Sequence, residues 1–262
     1  MRALVVIPTY QEADNVVETI TRLRAIVPAA GVLVVDDASP DSTADVVEAA
    51  APDLGGEVWV LRRPAKAGLG SAYRDGFRWG IDHGFDVLVE MDADLSHDAA
   101  ALPSLLRPLD LGADLVIGSR YLPGGSIPDW SAHRRALSRW GNRYADAMLR
   151  LGVVDATSGY RAFRAGALLD IGFERIRADG YGFQIETTYR LARKGRRVVE
   201  VPISFVDRTE GSSKMSWRII VEALVLVTGW GVRDRLLAGV RGRTRRGTRA
   251  LRRSRGQRRT TR

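Results

Sequence analysis

The sequence predicts an α/β fold with a mostly parallel central sheet and helices on both faces. Short apolar runs alternate with stretches whose apolar residues recur at helical spacing, and this rhythm is typical of such a sheet. Runs without polar alternation suit strands buried on both faces. The predicted strands are Ala3–Ile7, Val32–Val35, Val58–Leu61, Val87–Val89 and Leu115–Ile117.

Three helices are predicted between these strands. Residues Ala13–Ile26 repeat apolar side chains at helical spacing. The hydroxyl and carboxylate residues of Ser39–Thr43 suit a helix start, and that helix should run to about Ala50. The glycine-containing loop Lys66–Gly70 should lead into a helix that ends near His83.

Length and composition exclude several classes of protein. A chain of 262 residues can hold one large α/β domain. The absence of cysteine excludes disulfides, thiolate nucleophiles and Cys-based metal sites. The apolar run at the N-terminus is too short for a signal peptide, and no stretch approaches the roughly 20 apolar residues of a spanning helix. We therefore expect a cytoplasmic protein.

The basic charge is concentrated at the C-terminus. The whole chain has a net charge of +9, but residues 233–262 contain 13 Arg and one Asp. The other 232 residues hold 27 basic and 30 acidic side chains, so the body is mildly acidic. Residues 233–262 have too much like charge to pack and are predicted to be disordered.

Charged residues follow three of the predicted strands. They are Asp36 and Asp37, Asp92 and Asp94, and Arg120. Ligands of open α/β sheets bind beyond the carboxyl ends of the strands, so these charges should meet at one edge. A D-x-D pair there suits Mg²⁺ or Mn²⁺ that carries a substrate's phosphates.

Two common nucleotide motifs are absent. The first strand is followed by PTYQEAD rather than by G-x-G-x-x-G, and KAGLG lacks the Gly-Lys-Ser/Thr of a Walker A loop. Both absences favour a nucleotide held by side chains and a metal.

Seven segments, in the same order along about residues 3–230, together resemble the inverting glycosyltransferase family 2. They are IPTYQEADN, VVDDASPDST, KAGLGSAYRDGF, MDADLSH, GSRYLPGG, TSGYRAF and VPISFVDRTEGSSK. Within that family they look like the polyprenol (dolichol) monophosphate mannose synthases. The resemblance implies a GT-A type nucleotide-sugar-binding fold and the inverting transfer of mannose from GDP-mannose to a polyprenyl monophosphate.

The resemblance also assigns the donor site. The nucleoside would be held by Pro8, Tyr10, Glu12, Val35 and Asp37. The diphosphate would be held at Asp92, Ala93, Asp94 and Ser96, through Mg²⁺ or Mn²⁺. Asp94 is the first choice as direct metal ligand, with Asp92 nearer the ribose or sugar. His97 is expected to stabilise the turn rather than to bind metal.

Basic side chains from separate segments are expected to converge on the phosphates. They are Arg120, Arg134, Arg208 and Lys214, of which the last two lie in a predicted mobile loop over Phe205–Lys214. Arginine forms forked hydrogen bonds to phosphate and lysine supplies a point charge. No catalytic base is assigned, because the acceptor phosphate is already ionised. Glu186 is expected to be structural.

The predicted organisation has three parts. Residues 1–214 form the catalytic domain, residues 215–232 an amphipathic helix, and residues 233–262 the Arg-rich tail. The helix over Ser216–Trp230 either lies in a membrane interface, with Trp217 and Trp230 as anchors, or packs on the protein core. With the tail, it would place the enzyme peripherally on the anionic inner face of the cell membrane. A separate membrane-anchor protein is a possible partner.

Other functions remain open at this stage. Within the same class, the sugar could be glucose or another residue from its nucleotide. From a different class, the Arg-rich tail could bind nucleic acid. The tail has no interleaved aromatic residues and the body is acidic, which makes nucleic acid the least favoured partner.

Overall fold

The computed structural model describes residues 1–206 and 220–236. Within these residues, seven strands form one sheet: β1 (Ala3–Thr9), β2 (Gly31–Asp36), β3 (Val58–Arg62), β4 (Val87–Glu90), β5 (Leu115–Ser119), β6 (Arg161–Arg164) and β7 (Val198–Pro202). Arg208, Lys214, most of the predicted loop and the tail beyond residue 236 lie outside the described residues.

The strand order places one reversed strand inside a parallel sheet. The order is β3-β2-β1-β4-β6-β5-β7. β1 pairs in parallel with β2 and β4, β2 with β3, and β5 with β7. β6 is antiparallel to both of its neighbours, β4 and β5. Six strands therefore end at one edge of the sheet, where β6 begins, which confirms the predicted mostly parallel sheet.

Helices cover both faces, as predicted. In the described part they are α1 (Val16–Ile26), α2 (Thr43–Leu54), α3 (Leu69–Asp82), α4 (Leu102–Asp110), α5 (Ala132–Leu149), α6 (Ala165–Ile171), α7 (Gly180–Arg193) and α8 (220–236). Successive strand residues face opposite sides. Leu4 and Val6 pack with α3, α5, α6 and α7, whereas Val5 and Ile7 pack with α1, α2 and α4.

α8 packs on α7 with one face and leaves apolar residues exposed on another. Val227 is buried, and the ring of Trp230 stacks on that of Tyr189 at 5.6 Å. The Tyr189 hydroxyl donates a 2.9 Å hydrogen bond to Asp234. Trp230 is half-buried against Tyr189, so one face of the helix packs on the protein core, the second of its two expected positions. The helix continues to residue 236, beyond the boundary predicted at 232.

The exposed face of α8 leaves the first expected position, a membrane interface, open as well. Val221, Val225, Val232 and Leu236 are exposed along it, at a spacing that places them on one side of a helix. None of the described helices is long and apolar enough to cross a membrane.

The sequence analysis located β1 to β5 and missed β6 and β7. β6 has the sequence RAFR, with only two apolar residues between charged ends. β7 is only partly buried and carries Glu200 at its centre. Neither strand offers the apolar run by which the first five were found.

Candidate active site

The turn after β4 carries the two predicted carboxylates. Asp94 is buried and Asp92 is half-buried. The Ser96 hydroxyl donates a 2.5 Å hydrogen bond to Asp94 Oδ1, and its backbone N–H donates to the same oxygen at 3.1 Å. Leu95, between them, has a positive φ of 62°. Ser96 therefore fixes the orientation of the Asp94 carboxylate.

His97 stabilises this turn, as predicted. Its Nδ1 accepts a 3.0 Å hydrogen bond from the backbone N–H of Asp92. Its ring stacks on Tyr160 at 4.8 Å and meets the edge of Phe205 at 5.6 Å. The carboxylate turn is thus packed against the segments that precede β6 and follow β7.

Arg120 lies just after β5 in a buried ion pair with Asp155. Its Nε and Nη2 donate to the two carboxylate oxygens at 2.7 Å each, and Nη2 also donates to Thr157 Oγ1 at 2.9 Å. Burial alone would lower the pKa of Arg120, but Asp155 raises it above its usual value. Two of the three Arg120 side-chain nitrogens are therefore bound by the protein, and its expected contact with phosphate stays a prediction.

The ring of Trp130 connects Arg120 with Arg134. The guanidinium carbons of Arg120 and Arg134 lie 5.3 Å and 3.9 Å from the ring centre, within cation–π range. Phe205 meets the edge of the same ring at 5.8 Å and reaches His97 on its other side. The structure therefore brings Arg120 and Arg134 to the carboxylate turn through a continuous aromatic wall.

The ends of β1 and β2 form the predicted nucleoside side. Pro8 and Val35 are register partners on these two strands. Asp36 accepts hydrogen bonds from the Thr9 hydroxyl at 2.9 Å and from the Ser39 hydroxyl at 2.5 Å. Asp36 therefore supports the turn itself.

Asp37 and Tyr10 contact the loop before α3. Asp37 Oδ1 forms a buried ion pair with Arg63, and Oδ2 accepts a 3.3 Å hydrogen bond from the backbone N–H of Ala67. The Lys66 ammonium lies 3.6 Å from the centre of the Tyr10 ring. The loop predicted to precede α3 thus closes over the ends of β1 and β2.

The two glutamates of the prediction have different positions. Glu12 lies between β1 and α1, where Asn15 donates to its side chain at 3.3 Å and its own N–H donates to Thr43 Oγ1 at 3.1 Å. Glu186 accepts two hydrogen bonds from Arg190, at 2.6 and 2.8 Å, one turn along α7. The structural role expected of Glu186 is confirmed.

A buried polar cluster lies behind the carboxylate turn. Glu90, the last residue of β4, is the register partner of Arg161, the first residue of β6. Both side chains are inaccessible to solvent. Burial raises the pKa of Glu90 to about 8 and lowers that of Arg161 to about 10, in each case against the pull of the other's charge.

Sequence reasoning missed Asp155 and Trp130 and gave Arg161 no role. Asp155 is 35 residues from Arg120, and no local pattern marks the two as partners. Arg161 was visible only as part of TSGYRAF. The position of Arg161 beside Ala162 and Phe163, the two apolar residues of β6, was the one available signal that it is buried.

An apolar groove extends from the site. It lies between α5, α7 and α8, and its lining includes Trp130, Arg134, Trp140, Tyr144, Ile185 and Val227. Two of these residues, Trp130 and Arg134, also border Arg120. The groove is therefore continuous with the arginine side of the site.

The donor atoms available for a metal are few. No group of three or more His, Cys, Asp or Glu side chains that could hold a metal ion occurs in residues 1–206 or 220–236. Two carboxylates on one turn match Mg²⁺ or Mn²⁺, which takes one or two carboxylates together with substrate phosphates. The residues present fit a metal that arrives with a nucleotide.

The fold and site define a nucleotide-sugar transferase, and a family match gives its class. The family model described as glycosyl transferase family 2 matches residues 4–172. The chain belongs to this family.

Two relatives are similar over nearly the whole chain. An undecaprenyl-phosphate mannosyltransferase of Micrococcus luteus is 52% identical over 235 residues, which cover 90% of this chain and 96% of that protein. A polyprenol monophosphomannose synthase of Mycolicibacterium smegmatis is 48% identical over 238 residues, 90% of this chain and 89% of that protein.

A solved structure shares the fold. The glucosyl-3-phosphoglycerate synthase of Mycobacterium tuberculosis, in complex with Mn²⁺, uridine diphosphate and glucosyl-3-phosphoglycerate, has a TM-score of 0.64. It is 19% identical, and the match covers 87% of this chain and 80% of that one. At this identity the likeness confirms the predicted fold class alone.

Proposed function

We propose that the protein transfers mannose from GDP-mannose to a polyprenyl monophosphate, with inversion, and releases GDP. The observation that carries the proposal is the continuity of three parts: a D-x-D turn, two arginines around Trp130, and an apolar groove lined by Trp130 and Arg134. A sugar diphosphate, a phosphate acceptor and a lipid chain need these three environments. The names of the two relatives support the same reaction.

The donor's nucleoside lies, in this proposal, over the ends of β1 and β2. Pro8 and Val35 supply the floor, and Tyr10, Glu12 and Asp37 the polar and aromatic contacts. Asp37 is held in place by Arg63 and the N–H of Ala67. A carboxylate oriented in this way accepts hydrogen bonds from ribose hydroxyls or base N–H groups.

The diphosphate lies at Asp92, Ala93, Asp94 and Ser96. Asp94 would hold a Mg²⁺ or Mn²⁺ ion directly, and Asp92 would lie nearer the ribose or sugar. When bound, such an ion offsets the charge that develops on the departing GDP. Ser96 keeps the Asp94 carboxylate in one orientation, through the two hydrogen bonds to Oδ1.

Arginines compensate the remaining phosphate charge. Arg134 stands over Trp130, and Arg120 presents its third nitrogen, Nη1, beyond the Nε and Nη2 bonds to Asp155 and Thr157. Arg208 and Lys214, outside the described residues, are proposed to complete the phosphate contacts. The acceptor phosphate is largely ionised at neutral pH, because its second pKa is about 6. Its oxygen can attack the anomeric carbon without a general base.

The acceptor's lipid chain is proposed to occupy the apolar groove and to enter it from a membrane. The exposed valines of α8 and the 13 arginines of residues 233–262 would hold the enzyme on an anionic inner membrane surface, as a peripheral cytoplasmic protein. Each basic residue near such a surface contributes about 1 kcal/mol. A separate membrane-anchor protein would add to this attachment.

The proposal is tested by incubating the purified protein with radiolabelled GDP-mannose and polyprenyl phosphate, with and without EDTA. We expect a mannolipid that depends on divalent metal, and little product from UDP-glucose. Preferential use of UDP-glucose or another donor would instead favour the second candidate, a polyprenyl-phosphate glycosyltransferase of different sugar specificity. Absence of lipid product from any donor would overturn both.

A further inference from the structure

We propose that Arg161 is a positioning residue for Arg120, on which it acts through the backbone of residues 155–158. The inference deepens the proposed function, since it assigns a role to a residue that touches neither substrate. It rests on where the hydrogen bonds of a fully buried guanidinium go.

Arg161 binds backbone carbonyls on two sides. Nη2 donates to the carbonyl of Ala156 and Nε to that of Ser158, each at 2.6 Å. On the other side, Nη1 donates to the carbonyl of Gln184 at 2.8 Å and to Thr188 Oγ1 at 2.9 Å. The guanidinium thus joins the loop before β6 to the buried face of α7.

The residue between the two loop carbonyls is Thr157, and it contacts Arg120 directly. Arg120 Nη2 donates to Thr157 Oγ1, while Arg120 Nε and the backbone N–H of Arg120 donate to Asp155. The hydrogen bonds of the Arg120 side chain therefore end on residues 155 and 157. Hydrogen bonds that hold the carbonyls of Ala156 and Ser158 therefore also hold the neighbouring residues Asp155 and Thr157 in place.

The opposite side of this loop is held independently. Asn142 of α5 donates to Asp155 Oδ1 at 3.2 Å and accepts from the N–H of Thr157 at 3.2 Å. Glu200 of β7 accepts from the N–H of Asp155 at 2.9 Å. Arg161 supplies the remaining contact, from the core side.

The chemistry requires an arginine. A planar guanidinium can reach three carbonyls in fixed directions, whereas an ammonium group is a single point with three donors. Burying a cation carries a large desolvation cost, which the hydrogen bonds of the guanidinium partly offset. An apolar side chain of similar size would fill the space without that cost but would leave the loop carbonyls without donors.

Arg164 is a matched control on the same strand. It lies three residues on, at the other end of β6, and donates to the carbonyl of Ala113 at 2.8 Å and to that of Leu109. It therefore makes the same kind of bond, to the α4–β5 connection instead of to the Arg120 loop. A loss of stability alone should appear in both positions, whereas mispositioning of Arg120 should appear only at Arg161.

The test compares Arg161→Lys with Arg164→Lys, alone and combined with Arg120→Met. We expect Arg161→Lys to lower kcat/KM for mannose transfer at least about thirtyfold, and Arg164→Lys less than about threefold at a similar loss of thermal stability. In the Arg120→Met background, Arg161→Lys should lower kcat/KM by less than a further factor of about three, because the side chain that Arg161 positions is gone. Independent, multiplicative effects would overturn the proposal, as would equal effects of the two lysine variants.

A second measurement does not depend on the reaction. The Nε–H of Arg120, bonded to Asp155, should give a slowly exchanging NMR signal that is lost in Arg120→Met. We expect Arg161→Lys to speed its exchange at least about tenfold and Arg164→Lys to leave it within about twofold. An unchanged signal in Arg161→Lys would refute the positioning role, whatever the substrate proves to be. If Arg161→Lys does not fold, Thr188→Val, which removes one of its bonds, serves for both measurements with smaller expected changes.

Discussion

The two halves of the sheet edge contain similar ion pairs that are supported in different ways. The ends of β1, β2 and β3 are called the nucleoside half, and the ends of β5 and β7 with the start of β6 the transfer half, after the roles proposed for them. On the nucleoside half, Asp37 and Arg63 follow adjacent parallel strands, β2 and β3. On the transfer half, Arg120 follows β5, and its partner Asp155 belongs to the long connection that enters the antiparallel β6. Both pairs are shielded: the side chains are 8% and 8% exposed in the first, and 5% and 0% in the second.

The difference lies in what supports each pair. Asp37 accepts a hydrogen bond from the N–H of Ala67, and its partner Arg63 donates to Ser71 and pairs with Asp75, both in α3. Asp155 is held by residues of α5 and β7 and, across Thr157, by the buried Arg161. The first pair is thus supported by the loop and helix that directly follow Arg63 in the sequence, whereas the second depends on several separate segments. Changes on the transfer half should therefore affect both stability and chemistry, and changes on the nucleoside half mainly donor binding.

The largest expected effect is that of Asp94→Asn in the carboxylate turn. Removing the charge from a carboxylate proposed to bind the metal should lower kcat/KM at least about a thousandfold, with the fold intact. The measurement is steady-state transfer at saturating Mg²⁺ and Mn²⁺, with circular dichroism as the check on folding. Asp98→Asn is the matched control, since Asp98 is exposed and only caps the next helical turn. A nearly wild-type rate for Asp94→Asn would remove Asp94 from the metal site.

Asp155→Asn should show how far the transfer half depends on its buried pair. It leaves Arg120 charged and buried, which costs about 3–5 kcal/mol of unfolding free energy near neutral pH. Burial alone would raise the pKa of Asp155, but Arg120 lowers it below the usual 3.8. The ion pair therefore stabilises the folded protein above that pH, and this stabilisation is lost as the pH falls below it.

Thermal unfolding of both proteins, followed from about pH 7 to about pH 3, measures this dependence. The gap in stability between wild type and Asp155→Asn should narrow as the pH decreases. A gap that stays constant with pH would mean that the Asp155 charge does not stabilise Arg120.

Asp37→Asn should have a smaller effect, restricted to the donor. We expect KM for GDP-mannose to rise about tenfold while kcat changes less than about threefold, because the carboxylate contacts the nucleoside and not the reacting atoms. Asp45→Asn is the control, since Asp45 pairs with Arg62 on the exposed surface nearby. A fall in kcat as large as that of Asp94→Asn would contradict the division into two halves.

The smallest effect should come from the exposed face of α8. Val225→Ser should weaken sedimentation with anionic vesicles several-fold and leave transfer to a short, detergent-soluble acceptor within about twofold. Val225 is 65% exposed, so the change should not alter folding. Val232→Ser is a second variant on the same face and should act in the same direction. Unchanged vesicle binding in both would assign membrane attachment to residues 233–262 or to a partner.

Local patterns were sufficient for most of the nucleoside half and for the carboxylate turn. β1, β2 and β4 are apolar runs, β2 and β4 end in carboxylates, and a parallel sheet brings the ends of its strands together whatever the details of packing. The D-x-D turn could be found because its two carboxylates lie one residue apart in the sequence. Arg120 and Arg134 could be named as basic residues near the site, but their partners could not.

The arrangement of the transfer half could be seen only in the tertiary structure. The reversed β6 has two apolar residues, so its place between β4 and β5 depends on pairing with strands about 70 and 45 residues away and not on its own pattern. The Arg120–Asp155 pair, the carbonyl contacts of Arg161 and the groove under α8 all follow from that insertion. Local sequence patterns were enough to name the residues proposed to bind a nucleotide sugar. Long-range pairing determined that Arg120 is bound by Asp155 and Thr157, and which of its nitrogens can face a phosphate. Sequence patterns could not show this, because a hydrogen bond between distant segments leaves no local periodicity.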